Sequence, residues 1–101
     1  MAEITRGTTP TIRYVFKTIE VSRIRTALLT IKQDGVIKLE RDLTTASVGE
    51  NDLSWTLTQE ETLSLDDESE AMLNWVTADG TRGVGKPLKI VFLDNHKQEV
   101  I

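Results

Sequence analysis

The chain has 101 residues, of which 39% are hydrophobic and 28% are charged, and its formal net charge at pH 7 is −4. This length predicts a single domain over residues 1–101, with enough apolar residues for one core, so a disordered chain is not expected. Cysteine is absent, which excludes disulfides, thiol catalysis and zinc sites built on thiolates. No apolar run approaches about 20 residues, so no transmembrane helix is expected.

Charge is distributed unevenly along the chain. Residues 1–41 carry eight Lys or Arg against four acidic residues, whereas residues 42–101 carry four against twelve. An acidic protein neutralises few phosphates, so nucleic acid is not an expected partner. The asymmetry favours two differently charged solvated surfaces, and the alternative interpretation is a pair of complementary patches used in head-to-tail assembly.

Alternation of apolar and polar residues with a period of two predicts strands along most of the chain. Ile, Val and Thr, which favour strands, account for 30 residues. Asp34-Gly35 and Asp79-Gly80 each predict a tight hairpin, because both dipeptides tolerate positive φ. In chain order, the predicted strands cover residues 12–17, 26–32, 37–39, 53–58, 71–76 and 88–92.

Two short segments predict helical turns. Residues 21–24 are too few for a strand and predict either a turn or one helical turn. Residues 58–61 have the spacing of a capping box, after which Leu63 and Leu65 are expected to point inward. Polar composition predicts loops over 44–52 and 66–69. About seven strands separated by turn signals predict an all-β fold, an antiparallel β-sandwich of two sheets with at most one or two helical turns.

The apolar phases of these strands predict one core between the two sheets. Trp55 and Trp75 lie on these phases, which favours core positions over platforms for stacking sugars. The predicted core residues are Leu29, Ile31, Trp55, Leu57, Leu73, Trp75, Ile90 and Phe92.

Several motifs that often carry chemistry are incomplete here. Gly80–Pro87 resembles a phosphate-binding loop, but Pro87 replaces the hydroxyl residue that holds magnesium, and a strand rather than a helix is predicted to follow. His96 is the only histidine and lies in a hydrophilic stretch. The acidic residues of 60–70 lack the ligand spacing of a calcium loop. The sequence therefore predicts no catalytic residue, no metal site and no cofactor, and the chain is not expected to be an enzyme.

Four stretches carry a family resemblance: Ile4-Thr5-Arg6-Gly7-Thr8-Thr9-Pro10-Thr11-Ile12, Leu57-Thr58-Gln59-Glu60-Glu61-Thr62-Leu63, Asp79-Gly80 and the final Val100-Ile101. Together they resemble a group of small prophage-encoded proteins of Gram-positive bacteria. The opening stretch is similar to the N-terminal immunoglobulin-like domain of phage upper-baseplate proteins, in which Arg-Gly followed by a hydroxyl residue begins the first strand. The resemblance implies an immunoglobulin-like sandwich and supplies no catalytic residue.

The function implied by this resemblance is that of a non-enzymatic phage or prophage structural or adaptor protein, associated with a tail or baseplate. Its expected partners are other phage structural proteins, with neither nucleic acid nor membrane involved, and a monomer is expected in isolation. No secretion signal is visible, so the expected location is the host cytoplasm, and the virion if the protein is assembled. The alternative is a small ligand-binding or regulatory domain acting on a host partner.

Two segments are the candidate partner contacts. Gly7 is expected where φ is positive or where a side chain would clash, and the alternative is that this segment forms a docking edge for an added strand. The acidic segment is expected to be a solvated loop, and the alternative is that it meets a basic partner. The candidate residues are Arg6, Gly7, Thr8 and Thr9 in the first segment and Glu60, Glu61, Asp66, Asp67 and Glu68 in the second.

Overall fold

In the computed structural model, which describes residues 2–101, two β-sheets enclose one apolar core. This part of the chain contains one α-helix, α1 (Gln59–Leu63), and two 3₁₀ turns at Val21–Arg23 and Leu43–Thr45. None of these helices is long and apolar enough to cross a membrane. The strands of the described residues are β1 (Ala2–Thr5), β2 (Thr11–Val15), β3 (Ile24–Gln33), β4 (Val36–Asp42), β5 (Ser47–Val48), β6 (Asp52–Thr56), β7 (Asp67–Thr77), β8 (Arg82–Val84) and β9 (Leu88–Leu93).

The strands divide into a front sheet and a back sheet. The front sheet has the order β1-β9-β7-β3-β4, with β8 also paired to β7, and the back sheet has the order β2-β6-β5. All of these pairs are antiparallel except β1 and β9, which run parallel. The predicted antiparallel sandwich is confirmed, with one parallel pair at the edge of the front sheet that the sequence did not indicate.

The strand order is that of an immunoglobulin-like sandwich. In that fold one sheet holds strands B, E and D, and the other holds C, F and G, with C′ added in the variable type. In the back sheet, strands B, E and D correspond to β2, β6 and β5. In the front sheet, strands C, F and G correspond to β3, β7 and β9, and strand C′ corresponds to β4. The predicted immunoglobulin-like fold is therefore confirmed by topology.

The core follows the predicted alternation in both sheets. Seven of the eight predicted core residues are buried, and Trp55 is fully enclosed, with its indole Nε1 donating to the Asp42 carbonyl at 2.9 Å. Trp75 is the exception, because it is only half-buried. Its ring lies against Gly83, where an added Cβ would clash with the indole, and it meets the Phe16 ring edge-on at a centroid distance of 5.9 Å. Trp75 therefore packs at the rim of the core.

The predicted turns are confirmed in detail. Asp34 and Gly35 both have positive φ, at 50° and 78°, and form the two-residue link between β3 and β4. Gly80 has a φ of 88° in the turn between β7 and β8. The Thr58 hydroxyl and the Glu61 carboxylate form a complete capping box at the start of α1. The expected helical turn at residues 21–24 is the 3₁₀ turn at Val21–Arg23.

Three local expectations were wrong. The predicted loop over 66–69 contains the start of β7, because β9 offers hydrogen-bond partners that place Ser69 opposite Ile90 and bury it. The predicted loop over 44–52 contains the short strand β5. Leu63 is only half-buried, and Thr62 takes the fully buried position in α1.

A bulge changes which face the strand β4 presents. The register between β3 and β4 shifts after Ile31, so that Ile31 lies opposite Leu39 and Lys32 lies opposite Ile37. The extra residue places Ile37 opposite an outward-facing lysine, and Ile37 is 55% exposed. Simple alternation cannot anticipate this change of face.

Candidate functional site

The first predicted contact segment is fastened to α1 by a buried threonine. The Gly7 amide donates to Thr62 Oγ1 at 2.9 Å, and the Thr62 hydroxyl donates to the Thr8 carbonyl at 2.8 Å. Thr62 is fully buried, so one side chain satisfies two backbone groups that lie far from it in sequence. We refer to Arg6, Gly7, Thr8, Thr62 and Leu63 as the N-terminal clasp.

Arg6 is the charged member of the clasp. Its guanidinium donates to the Leu63 carbonyl and lies 3.2 Å from Asp66 and 3.6 Å from Asp94. Its side chain is only 19% exposed, and the Arg6 carbonyl accepts a hydrogen bond from Asn95 Nδ2 at 3.0 Å. These bonds are all made within the chain, so Arg6 stabilises the fold at this end of the sandwich.

Gly7 is required by the backbone conformation of the clasp. Its φ is 85°, and an added Cβ would lie 3.3 Å from Leu63 Cδ2. Both expectations from the sequence, positive φ and close approach, are met at this residue. Thr8 and Thr9 are exposed, and the Thr8 hydroxyl donates to the Thr5 carbonyl at 2.7 Å, which closes the turn after β1.

The two glutamates of α1, Glu60 and Glu61, differ in whether a partner could reach their carboxylates. Glu61 accepts from the Thr58 amide within the capping box and from Arg41 at 2.8 Å, and its side chain is only 19% exposed. Glu60 is exposed. Of the two predicted contact residues in α1, Glu61 is thus held within the fold, whereas Glu60 is accessible to a partner.

The remaining acidic candidates line a surface groove of about 720 Å³. Asp66, which precedes β7, and Asp67 and Glu68, at the start of β7, line it together with Asp34 of the β3–β4 turn. Among residues 2–101, Lys38 is the one basic residue on its wall. The three predicted carboxylates are exposed, as is Asp34. We refer to Asp34, Asp66, Asp67 and Glu68 as the acidic groove.

The structure therefore brings the two predicted contact segments together at one end of the sandwich. The link is the ion pair between Arg6 and Asp66, which joins the clasp to the acidic groove. Sequence reasoning did not identify Thr62 or Asp34 as members of this region. No local signal could have placed Asp34 there, because its position depends on the pairing of β3 with β7.

Ion pairs connect the basic half of the chain to its acidic half. Each sheet contains strands of both halves, since β1 lies beside β9, β3 beside β7 and β2 beside β6. Two separate charged surfaces matching the two halves are therefore not formed. The pairs that join the halves are Arg6–Asp66, Arg6–Asp94, Arg13–Asp52, Arg23–Asp79 and Arg41–Glu61.

Three ionisable groups away from the groove have shifted pKa values. The Thr44 hydroxyl lowers the pKa of Asp42, and the Thr77 hydroxyl lowers the pKa of Asp79, because hydrogen bonds to a carboxylate favour its charged form. Burial raises the pKa of Tyr14. The two carboxylates each lie in a tight turn, where these bonds organise the backbone.

The other motifs singled out in the sequence lie in structural contexts. Gly80–Pro87 spans β8 and leads into β9, so a strand follows the glycine-rich segment, as predicted. His96 is exposed in a bend after β9. Within residues 2–101, no three His, Cys, Asp or Glu side chains are grouped so that they could hold a metal ion.

Comparison with known proteins gives only distant similarities. No family model matches the chain, and no curated protein matches it. The V domain of amphioxus IgVJ-C2 is 15% identical over 90% of this chain and 98% of its own, with a TM-score of 0.39. Murine CRIg is 14% identical over 93% of this chain and 91% of its own, with a TM-score of 0.44. Because both scores are below 0.5, the immunoglobulin-like assignment rests on the strand order described above.

Proposed function

We propose that this protein is a non-enzymatic phage or prophage structural or adaptor component, associated with a tail or baseplate, that works through contacts with other phage proteins. The observation that carries the proposal is the acidic groove, which places four carboxylates around a single lysine at one end of the sandwich. The sequence resemblance to prophage proteins and to the N-terminal domain of upper-baseplate proteins supplies the phage context.

The groove suits a basic partner surface. Asp66 is partly neutralised by Arg6, whereas no ion pair within residues 2–101 engages Asp34, Asp67 or Glu68. Uncompensated carboxylates on one surface steer a positively charged partner and fix its orientation, and they contribute more to specificity and association rate than to affinity. We therefore expect binding that weakens as salt increases.

The clasp has a supporting role in this function. It holds the loop before β7 through Arg6 and Thr62, and the groove residues follow directly in the chain. A contact surface held on a rigid element loses less conformational entropy when the partner binds.

Co-expression with the neighbouring reading frames of the same prophage, followed by purification of the complex, tests the proposal. The affinity of the purified partner is then compared between the wild type and the double variant Asp67→Asn/Glu68→Gln. Asn tolerates the positive φ of 46° at residue 67, so the backbone is preserved. The matched control is Glu20→Gln/Glu50→Gln, which removes the same charge from exposed residues outside the groove.

We expect the groove variant to lose roughly tenfold in affinity, about 1 kcal/mol or less for each removed charge, while the control stays close to wild type. Equal loss in both variants would show that net charge alone is responsible. Failure to recover any partner from the neighbouring frames, combined with binding to a host protein, would favour the alternative of a regulatory domain.

A further inference from the structure

Within residues 2–101 the sandwich has five edge strands, and four of them are protected against pairing with another chain. β8, which pairs only with β7, has three residues. β5 has only two residues, and β1 has only four, with the Thr5 carbonyl already bonded to Thr8. β4 carries a bulge and exposed charges at Lys38, Glu40 and Asp42. Short length, bulges and charges are the usual devices that keep a sheet edge from adding a strand.

The remaining edge, β2, is one residue longer than β1, carries no bulge and has a single charged side chain, that of Arg13. Pro10 and Phe16 bond to the β6 side of the strand, through the Leu57 amide and the Asn51 carbonyl. Because successive residues direct their backbone groups to opposite sides of a strand, the N–H and C=O groups of Thr11, Arg13 and Val15 point away from β6. Each of these three residues is exposed. The edge is therefore regular and unpaired within residues 2–101.

The side chains of β2 suit a neutral neighbouring strand. On the outer face, the charge of Arg13 is compensated by Asp52 of β6, and Val15 is 49% exposed. On the inner face, Tyr14 and Phe16 are only half-buried and pack against the core. An added strand would cover apolar area on both faces without leaving a charge unpaired.

We propose that β2 binds β2 of a second copy of this chain across a two-fold axis, so that the two back sheets join into one continuous six-stranded sheet. An axis perpendicular to the sheet keeps each residue on its own face. Tyr14 then lies opposite Tyr14 of the second copy, and Val15 lies opposite Arg13 of the second copy. This proposal concerns a different surface from the acidic groove and does not depend on it.

Charge selects this register over its neighbours. Centring the axis on Arg13 would oppose two like charges, which destabilises cross-strand pairs. Centring it on Ile12 would place Pro10 opposite Tyr14 and leave Val15 uncovered. In the register centred on Tyr14, Ile12 faces Phe16 of the second copy and no like charges are opposed. The aromatic and aliphatic pairs on the inner face are of the kind that stabilises antiparallel strands.

The dimer is expected to be weak and reversible, because pairing of two short edges buries less area than a standard stable interface. Its formation is followed by sedimentation equilibrium over increasing protein concentration. Amide hydrogen exchange supplies a residue-level readout. The amides of Thr11, Arg13 and Val15 have no ladder partner in the monomer, so the amides of Arg13 and Val15 should become protected as concentration rises. The amides of Ile12 and Tyr14, which face β6, should be protected throughout.

Substitutions at Val15 give a directional test. Both substitutions are made in an Asp52→Asn background, because Asp52 lies opposite Val15 in its own chain and pairs with Arg13. In this background, Val15→Glu places a carboxylate opposite Arg13 of the second copy and should tighten the dimer by roughly fivefold, since two such pairs form in each dimer. Val15→Lys opposes two cations and should weaken it by a similar factor. Net charge alone would produce the reverse order, because the glutamate makes an already acidic protein more negative and increases the repulsion between two copies.

Val48→Glu and Val48→Lys are the matched controls, since Val48 is an exposed valine of β5 in the same sheet. They change net charge by the same amounts as the Val15 variants and should have only a small effect on the dimer dissociation constant. Val48→Glu should weaken the dimer slightly and Val48→Lys should strengthen it slightly, which is the reverse of the Val15 variants. A mass that remains monomeric at the highest concentration, or Val15 variants that only follow net charge, would overturn the proposal.

Discussion

The two ends of β7 are built from the same three residue types but are stabilised to different extents. At the start of β7, Arg6, Gly7 and Thr62 belong to the N-terminal clasp, in which the bonds between residues 6–8 and residues 62–63 join segments far apart in sequence. At its other end, Thr77 and Gly80 form a local hairpin turn, and Arg23 pairs with Asp79 across an exposed surface. The comparison teaches that residue type alone does not set how much a side chain contributes to folding stability. The two ends differ in how deeply their side chains are buried and in how many backbone groups those side chains bond.

The largest expected difference in stability loss is between valine substitutions at the two buried threonines, Thr62 and Thr77. Thr62→Val leaves the Gly7 amide and the Thr8 carbonyl without their partner, and each orphaned polar group costs about 1–3 kcal/mol. We expect a loss of roughly 2–4 kcal/mol in the free energy of unfolding, measured by urea denaturation. Thr77→Val, the matched variant, removes a bond to the side chain of Asp79 within an exposed turn and should cost less. Equal losses would show that the clasp is not the more tightly held end.

The arginines give the next difference. Arg6→Ala removes a charge-assisted bond to the Leu63 carbonyl and the ion pair with Asp66, and we expect a loss of about 1.5–3 kcal/mol in stability. The side chains of Arg23 and Asp79 are 59% and 57% exposed, so Arg23→Ala should stay within the error of the same denaturation experiment. Arg6→Lys sharpens the comparison. A lysine retains the charge but not the fork that reaches both partners, so partial recovery is expected.

Alanine substitutions at Gly7 and Gly80 distinguish the cost of backbone strain from the cost of a steric clash. Gly7 and Gly80 have nearly the same φ, 85° and 88°, so alanine is strained at both positions. A Cβ at Gly80 meets nothing within 4 Å, whereas at Gly7 it lies 3.3 Å from Leu63 Cδ2. We expect Gly80→Ala to cost about 1 kcal/mol and Gly7→Ala to cost about 1–2 kcal/mol. A larger loss at Gly80 in thermal denaturation would contradict this ranking.

The smallest effect concerns pH at the hairpin end. The Thr77 hydroxyl and the Thr81 amide lower the pKa of Asp79 in the folded state. A carboxyl group with a lowered folded pKa contributes stability above its unfolded pKa of about 4, and that contribution is lost as pH falls through the folded value. Asp79→Asn should therefore flatten the decline of the unfolding midpoint in acid. NMR titration of the Asp79 carboxyl in Thr77→Val should show its pKa returning toward the ordinary range, whereas an unchanged pKa would contradict the assigned cause.

Local patterns predicted the strands and turns that need only neighbouring residues. The alternation around Leu53, Trp55 and Leu57 identified buried positions because successive side chains of a strand face opposite sides. The Asp-Gly turns and the capping box at Thr58 were predictable because their backbone requirements are met within a few residues. Alternation did not predict the partial exposure of Trp75, because that exposure depends on how far the opposite sheet extends over β7.

The candidate site was predicted as two separate segments, whereas their meeting and the membership of Thr62 and Asp34 were missed. Arg6–Thr9 and the acidic residues of 60–68 stand out by composition, but their contact passes through Thr62, whose hydroxyl looks unremarkable in sequence. The role of Glu61 was also hidden, since its ion pair with Arg41 joins residues 20 positions apart. Such contacts depend on sheet order, which local patterns do not encode.

The sequence by itself determined most of the residues that face the core, the positions of the Asp-Gly turns and that the fold is a sandwich, because side-chain alternation and positive-φ glycines are local properties. Tertiary structure decided the parallel pairing of β1 with β9, the extension of β7 into residues 67–69 and the union of the clasp with the acidic groove. In each case the deciding factor is a hydrogen-bond or charge partner supplied by a distant strand. Polar residues such as Asp67 and Glu68 become strand only because β9 lies beside them.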